Sequence, residues 1–272
     1  MNRKVLAVPY AVWILGFIII PLCFIFGRAF TTAEGAFTLS NIFAIVDPLH
    51  RKALVLSLEL AFLCTTICII LAYPLALIVR NSKMKSSGVI MLILIMPMWM
   101  NSILRILALQ MLLSNNGILN FVLTSLGLQP LQIINTKGAI VLGMVYDFLP
   151  YMILPIMNSI LAIPQDYVEA ARDLGANKFQ IFWRIIFPLS LPGVGSGITM
   201  VFVPSVSTFA ISKMLGGGTE MLLGDLIEQQ YMGGAYNPQL GAAISLVMMV
   251  IVVVCMWVMN RFGEGEEQAV MM

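Results

Sequence analysis

The sequence is poor in charged residues. They make up 10% of its 272 positions, whereas soluble domains carry roughly 25%. Hydrophobic residues account for 60% of the chain, and the net charge of +2 is too small to indicate nucleic-acid binding. The composition therefore excludes an ordinary soluble domain. It indicates a single transmembrane domain, residues 1–272, with no soluble module attached.

The chain also lacks the side chains that most catalytic and metal sites use. Its single histidine, His50, cannot complete a Ser/His/Asp or Cys/His set for nucleophilic catalysis. Four cysteines lie in apolar runs, so no disulfide framework is implied, and we expect no metal site. They are Cys23, Cys64, Cys68 and Cys255. Cys64 and Cys68 are one helical turn apart and are predicted to be buried structural thiols.

A phosphate-binding loop for ATP is missing as well. The pattern G-x-x-x-x-G-K-[ST] does not occur in the sequence. The stretch Gly216–Thr219 has the glycines but no following lysine, and a flexible turn is the better interpretation. We therefore predict that the chain is not an enzyme, that it holds no cofactor, and that any energy it uses comes from another subunit.

Long apolar runs dominate the remaining sequence. Six of them are near the ~20 residues that a helix needs to cross the hydrocarbon core of a membrane. Their apolar character is nearly all-round, as expected for bundle helices in lipid. We predict an all-α polytopic membrane protein with six transmembrane helices. The predicted spans are residues 5–26, 54–79, 88–113, 138–161, 189–212 and 240–259.

The basic residues predict the orientation of these spans. With the N-terminus in the cytoplasm, nine Lys and Arg residues fall on inner segments and five on outer segments, which satisfies the positive-inside rule. The inner set is Arg3, Lys4, Arg80, Lys83, Lys85, Arg172, Lys178, Arg184 and Arg261, and the outer set is Arg28, Arg51, Lys52, Lys137 and Lys213. Both termini and the segment 162–188 are therefore predicted to be cytoplasmic.

The polar segment 162–188 interrupts the apolar sequence in a way that suits docking of a soluble partner. Asp166 and Glu169 have the spacing of a capping box, which predicts the start of a short helix. Gly175 predicts a helix stop or a sharp bend. Pro188 predicts the point at which the chain turns back into lipid.

The stretch EAARDLGANKFQIFWRIIFP, Glu169–Pro188, resembles the EAA loop of ABC importer permeases. The matching positions are Glu169, Ala170, Ala171, Gly175, Ile185 and Pro188, with Phe187 where leucine is commoner. The resemblance implies a bundle like that of type I importer permeases. It also implies that this loop is the cytoplasmic coupling element that docks on an ATPase subunit.

Further segments are similar to the spermidine/putrescine permease family of binding-protein-dependent ABC importers. They are Asp47–Leu49, Pro97–Arg105, Glu169–Ala176 and Gly216–Gly217, and the similarity runs over residues 47–246. The resemblance implies a polyamine substrate, a heterodimer of two related permeases, ATPase subunits and an extracytoplasmic solute-binding protein. Relatives carry iron, sulfate or molybdate, so another small solute is the alternative. A proton-coupled secondary carrier is a further rival, which leaves the coupling loop unexplained.

Three charged residues, Glu59, Arg105 and Asp147, fall within the predicted spans. Each costs about 2.5–3.5 kcal/mol at a helix centre, so they are predicted to face the bundle interior or water. Arg105 can pair with one acid and join neighbouring helices, or a carboxylate can line a path for a cationic solute. Both can hold, because two acids and one base leave a surplus negative charge.

Aromatic and acidic residues complete the candidate substrate path. Tyr146 and Tyr151 flank Asp147, an arrangement that suits an amine through ion pairing and cation–π contact, although these aromatics also fit an interfacial belt. Trp99 lies in a kinked polar-aromatic stretch of the third span. Asp225 belongs to an acidic loop before the last helix. That loop would concentrate a polyvalent cation, dock an extracellular binding protein, or be an ordinary solvated loop.

Overall fold

The computed structural model describes residues 8–81, 87–234 and 236–270. Regular structure in this part of the chain is helical, apart from one isolated β-bridge between Thr31 and Phe37. Residues 5–7 of the first predicted span lie outside the described residues, as do four basic residues that were assigned to the inner side, Arg3, Lys4, Lys83 and Lys85.

Six helical segments of the described chain are long and apolar enough to cross a membrane, which confirms the predicted all-α bundle of six transmembrane helices. The helices are α1 Val8–Ala29, α2 Pro48–Asn81, α3 Ser87–Ile95, α4 Ser102–Leu113, α5 Ile118–Ser125, α6 Lys137–Ala162, α7 Gln165–Asp173, α8 Lys178–Ser207, α9 Ala210–Leu215, α10 Leu223–Met232 and α11 Pro238–Val270, with short helical turns at Ser40–Phe43, Ala44–Val46 and Met96–Trp99. The six segments of membrane length are α1, α2, α4 together with α5, α6, α8 and α11.

The third predicted span, 88–113, is divided rather than continuous. Pro97 has no backbone N–H to extend the helix, and the chain leaves α3 through a short 3₁₀ turn. Asn101 then starts α4, because its side-chain oxygen accepts a hydrogen bond from the Ile103 amide at 2.9 Å. The membrane-length apolar segment of this region is consequently residues 102–125.

The fifth predicted span, 189–212, begins and ends too late. The helix α8 starts at Lys178, and extended backbone at Thr208 separates it from α9. Pro188 therefore does not mark the entry into the span. It lies inside α8, two residues after a π-helical turn, Phe182–Ile186, so the irregular hydrogen bonding of that turn and the missing N–H of the proline fall at the same place in the helix.

The core of the bundle lies where α2, α6 and α8 meet. Glycines of α8 let it approach α6 closely: a Cβ on Gly193 would lie 2.3 Å from Ser159 Oγ, and one on Gly197 would lie 2.6 Å from Met152 Sδ. No larger side chain fits at Gly193, because the Pro155 carbonyl oxygen is also only 2.5 Å from that Cβ position. These contacts fix the two helices against each other.

Polar and thiol groups of α2 are also buried in this core. The Tyr73 hydroxyl lies 2.6 Å from Ser190 Oγ and joins α2 to α8. Cys64 and Cys68 are fully buried free thiols, as predicted. At the end of α2, Arg80 donates a hydrogen bond to the Ile160 carbonyl of α6. The ends of α2 and α6 therefore lie close to the start of α8. The segment 163–177 connects the end of α6 to the start of α8.

The first and last helices form a smaller contact outside this core. Ala29 near the end of α1 packs against Ala242 and Ala243 of α11, where small side chains allow a close approach. Most of the apolar surface of α1 is exposed. This helix therefore offers its outer face to lipid or to another membrane subunit.

Candidate functional site

The segment between α6 and α8 forms a bent helix-turn-helix unit. Gly175 adopts a left-handed backbone conformation with φ of 83°, as the predicted bend requires. The Gly175 amide donates to the Arg172 carbonyl at 2.9 Å, and the Ala176 amide donates to the Ala171 carbonyl at 2.9 Å. This pair of bonds is a Schellman motif, which satisfies carbonyl groups at the end of α7 and turns the chain sharply.

The predicted capping box at Asp166 and Glu169 does not form. The helix α7 starts at Gln165, two residues before the start that a cap at Asp166 predicts, and its N-cap Pro164 makes no side-chain capping bond. Asp166 lies in the first turn, where its charge interacts favourably with the helix dipole. The capping box occurs instead at the start of α8, between Asn177 and Gln180, whose side chains and backbone amides bond reciprocally at 2.9 Å.

The EAA-type positions divide between the two arms of this unit. Glu169, Ala170 and Gly175 are exposed on α7 and at the bend. Ile185 and Pro188 are half-buried on α8, ten and thirteen residues beyond the bend. The roles of these residues, and of the half-buried Ala171, in contacting an ATPase stay predictions.

Exposed apolar side chains at the bend were missed by the sequence reasoning. Leu174 is 88% exposed and Phe179 is 70% exposed, on either side of Gly175. Apolar side chains this exposed on a polar segment are typical of a docking surface. The signal was present in the sequence, because Leu174 is an apolar residue next to the glycine of the bend.

A buried ion pair joins α4 to α6. Arg105 Nη2 lies 2.8 Å from Asp147 Oδ1, and the two side chains are only 3% and 8% exposed. Arg105 Nε and Nη1 are buried and have no hydrogen-bond partner among the described residues. The sequence left open whether Arg105 pairs with Asp147 or with Glu59. The structure shows the pair with Asp147, which joins α4 to α6 and neutralises the Asp147 carboxylate.

The aromatic candidates do not enclose Asp147. Tyr146 is exposed, while Tyr151 is half-buried and packs edge-on against Phe148 with ring centroids 6.5 Å apart. Trp99 is 77% exposed at the break between α3 and α4. The candidate path residues are thus spread along the bundle rather than gathered in one pocket of this chain.

Glu59 is the other acidic side chain within a membrane span. It is exposed on α2 and lines a cavity of about 430 Å³ between α2 and α6, together with Leu63 and Val145. Lys137 also lines this cavity, but its ammonium group lies 3.8 Å from Glu220. Glu59 has no ion-pair partner among the described residues, so it carries the surplus negative charge of the spans.

The acidic loop predicted before the last helix is largely the helix α10. Asp225 is buried there, where its carboxylate accepts hydrogen bonds from the Leu222 amide and the Ser212 hydroxyl, each at 2.9 Å. Burial raises the pKa of Asp225, although both hydrogen bonds act in the opposite direction. Glu228 pairs with Lys213 at 2.8 Å. Much of the acidic charge is therefore engaged within the chain, and Asp225 holds the start of α10.

We expect Asp225→Ala to destabilise the assembled protein by about 1–3 kcal/mol, because the buried Leu222 amide loses its acceptor. The matched control is Glu228→Ala, which breaks a partly exposed ion pair and should cost less than about 1 kcal/mol. Thermal unfolding of the purified protein measures both. Equal stability losses in the two variants would contradict the capping role of Asp225.

A comparison with protein families identifies the chain. Residues 69–265 match the family described as the binding-protein-dependent transport system inner membrane component. The chain belongs to this family. Together with the six apolar helices, membership shows a multi-pass inner-membrane protein, and a permease component rather than an enzyme.

Individual family members are similar over nearly the whole chain. The spermidine/putrescine transport system permease protein PotB of Escherichia coli (strain K12) is 36% identical over 88% of this chain and 90% of that protein. The protein of the same name from Haemophilus influenzae is 32% identical over 97% of this chain and 96% of that protein. The molybdenum transport system permease protein ModB of Mycobacterium bovis is 26% identical over 76% of this chain and 77% of that protein.

Solved structures agree with the fold. A chain of a bacterial ABC transporter that imports the acidic polysaccharide alginate superimposes with a TM-score of 0.83, at 16% identity over 96% of this chain and 94% of that chain. A chain of the MetNI methionine ABC transporter superimposes with a TM-score of 0.60, at 18% identity over 80% and 96%. The six-helix bundle is therefore the importer permease fold.

Proposed function

We propose that this chain is one of two related permease subunits of an ATP-driven importer that carries polyamines, such as spermidine and putrescine, across the cytoplasmic membrane. The observation that carries the proposal is its 36% and 32% identity to spermidine/putrescine permeases over most of the chain. An extracytoplasmic solute-binding protein delivers the polyamine. Cytoplasmic ATPase subunits hydrolyse ATP, and the permease itself has no ATPase site.

The bent segment transmits the movement of the ATPase subunits. Both termini lie in the cytoplasm in this proposal, so α7 and the bend at Gly175 face the ATPase. Exposed Glu169, Leu174 and Phe179 supply charge and apolar surface for docking. Since α6 and α8 leave the two ends of this segment, movement of the bend rocks both helices and alternates access to the two sides of the membrane.

The polyamine meets Glu59 before other acidic groups of the membrane spans. Asp147 is neutralised by Arg105, whereas Glu59 is exposed without an ion-pair partner among the described residues. A lone carboxylate at membrane depth costs about 2.5–3.5 kcal/mol at the helix centre unless water or a cation meets it. Trp99 and Tyr146 do not line the Glu59 cavity, and their exposed aromatic faces can stabilise ammonium groups at other points of the path.

We expect Glu59→Gln to lower the apparent affinity for spermidine roughly tenfold, because a hydrogen bond to a charged group contributes about 1.5–3 kcal/mol. Insertion and assembly should be unchanged, since Glu59 makes no ion pair with the described residues. Uptake of radiolabelled spermidine over a range of concentrations measures the effect. The control is Asp47→Asn, which removes an exposed carboxylate just before the same helix. Unchanged affinity in Glu59→Gln would exclude the carboxylate from the path.

The function itself is tested by reconstituting the permease pair with its ATPase and binding protein in liposomes. We expect spermidine uptake that requires ATP, survives a proton ionophore and is inhibited by putrescine. Uptake abolished by the ionophore with ATP present would favour a proton-coupled carrier. ATP-dependent uptake of molybdate or another small solute, without uptake of spermidine, would support the importer function but contradict the polyamine substrate.

A further inference from the structure

A cationic cavity of about 500 Å³ lies where the end of α2 meets α7 and the start of α8. Three basic side chains line it, Arg80 from α2, Arg172 from α7 and Lys178 from α8. The lining contains no aspartate or glutamate. The three cations converge from three separate elements, so the cavity concentrates positive charge by its fold rather than by one run of sequence.

These cations are free of carboxylate partners within the chain. Among the described residues, none of the three forms an ion pair. Arg80 is half-buried and donates one hydrogen bond, to the Ile160 carbonyl, which holds its guanidinium in place. A guanidinium has five N–H donors, so most of its hydrogen-bonding capacity is left for an anion.

The helix α7 separates its charges onto two faces. Gln165, Val168 and Arg172 recur at intervals of three and four residues and line the cavity. The acidic residues of the helix recur in the same way on another face, do not line the cavity, and are exposed. They are Asp166, Glu169 and Asp173. The acidic face is thus available to a soluble partner, while the basic face is turned toward the bundle.

The remaining lining of the cavity is apolar and belongs to the membrane helices. Leu77 of α2 and Phe182 and Ile186 of α8 form part of it. Arg80 ends the apolar span of α2, and Lys178 begins that of α8. The cavity therefore lies where hydrocarbon meets water, the level at which lipid headgroups are found.

We propose that this cavity binds the headgroup of an anionic phospholipid, with its phosphate among Arg80, Arg172 and Lys178 and its acyl chains along the apolar residues. Phosphate chemistry suits a convergent set of arginine and lysine donors. The apolar lining and the membrane level favour a lipid over a free phosphate. A bound lipid would brace α7 against the ends of α2 and α8, so the coupling segment would be stiffer in an anionic membrane. This site goes beyond the transport function, since lipid binding requires neither substrate nor ATP.

The test is native mass spectrometry of the purified, assembled transporter incubated with equal amounts of phosphatidylglycerol and phosphatidylcholine. We expect preferential retention of phosphatidylglycerol. Arg172→Gln and Lys178→Gln should each weaken it about fivefold, since a basic residue near an anionic lipid surface contributes ~1 kcal/mol. Both side chains are exposed, so these variants should fold and assemble. The triple variant with Arg80→Gln should lose the preference.

Arg184→Gln is the matched control, because Arg184 is an exposed cation on α8 that does not line the cavity. It should keep the preference for phosphatidylglycerol. An equal loss in Arg184→Gln, or an unchanged preference in the triple variant, would overturn the proposal. Displacement of the lipid by inorganic phosphate would assign the cavity to a free anion instead. Unchanged lipid retention with loss of the ATPase subunit from the Arg172 and Lys178 variants would assign it to a protein partner.

Discussion

Replacing Gly175 by valine is expected to reduce spermidine uptake by at least about tenfold. The left-handed conformation costs an L-residue roughly 1–2 kcal/mol, more for a β-branched side chain, and about 1.4 kcal/mol corresponds to tenfold in a rate or population. Within this chain the effect comes from the backbone, because a Cβ at Gly175 would meet nothing within 4 Å. Uptake by the reconstituted transporter and retention of the ATPase subunit during purification measure it.

Two variants separate the bend from general backbone strain. Gly127 has φ of 76° and equally open surroundings, in the turn after α5, so Gly127→Val introduces the same strain away from the coupling segment. It should leave uptake nearly unchanged. Gly175→Asn should retain most activity, because asparagine tolerates the left-handed region. Full uptake with valine at Gly175, or equal losses at both glycines, would refute a special role for this bend.

The second large effect is expected at the buried pair of α4 and α6. Removing one partner of a buried ion pair costs about 3–5 kcal/mol, because the other charge stays buried without compensation. Arg105→Gln and Asp147→Asn should therefore each strongly reduce the amount of folded, membrane-inserted protein. The double variant should recover much of it, since neither site then carries a charge. Size-exclusion chromatography of the solubilised protein measures the folded fraction.

The same series decides whether Asp147 acts on the substrate. If its carboxylate bound the polyamine directly, Asp147→Asn would insert and assemble normally but lose uptake, and adding Arg105→Gln would restore nothing. Recovery of both folding and uptake in the double variant would show that the pair joins helices only. Glu59→Gln serves as the comparison, because that variant removes a membrane carboxylate with no ion-pair partner among the described residues.

The sequence predicted the helical features that depend on local chemistry. Six apolar runs of membrane length were visible, and Gly175 marked a bend because few other residues accept its backbone conformation. The break in the third span was signalled by Pro97 and Asn101. Sequence alone did not show whether proline bends a helix or ends it. That outcome depends on the groups around the proline, and here the Asn101 side chain caps the start of a new helix, α4, by accepting from the Ile103 amide.

Features that depend on contacts distant in sequence were harder to predict. Arg105 is 42 positions from Asp147, and nothing local decided between Asp147 and Glu59 as its partner. The capping box at Asp166 and Glu169 was wrong because the N-cap of α7 is Pro164, two residues before Asp166. Asp225 was predicted to lie in an acidic loop that concentrates a cation, docks a binding protein or is simply solvated, whereas its partners Leu222 and Ser212 make it a buried cap.

The glycine contacts between α6 and α8 have a mechanical consequence. Gly193 and Gly197 let α8 pack directly against α6, so a movement of one helix is passed on to the other. We therefore expect α6 and α8 to tilt together as one rigid body. The arm α8 is about 45 Å long, so a tilt of about 10° at the nucleotide-driven end sweeps the opposite tip through about 8 Å. The distance that the far end moves is then set by the length of α8. A larger residue at Gly193 would reduce this movement, because it would separate α8 from α6.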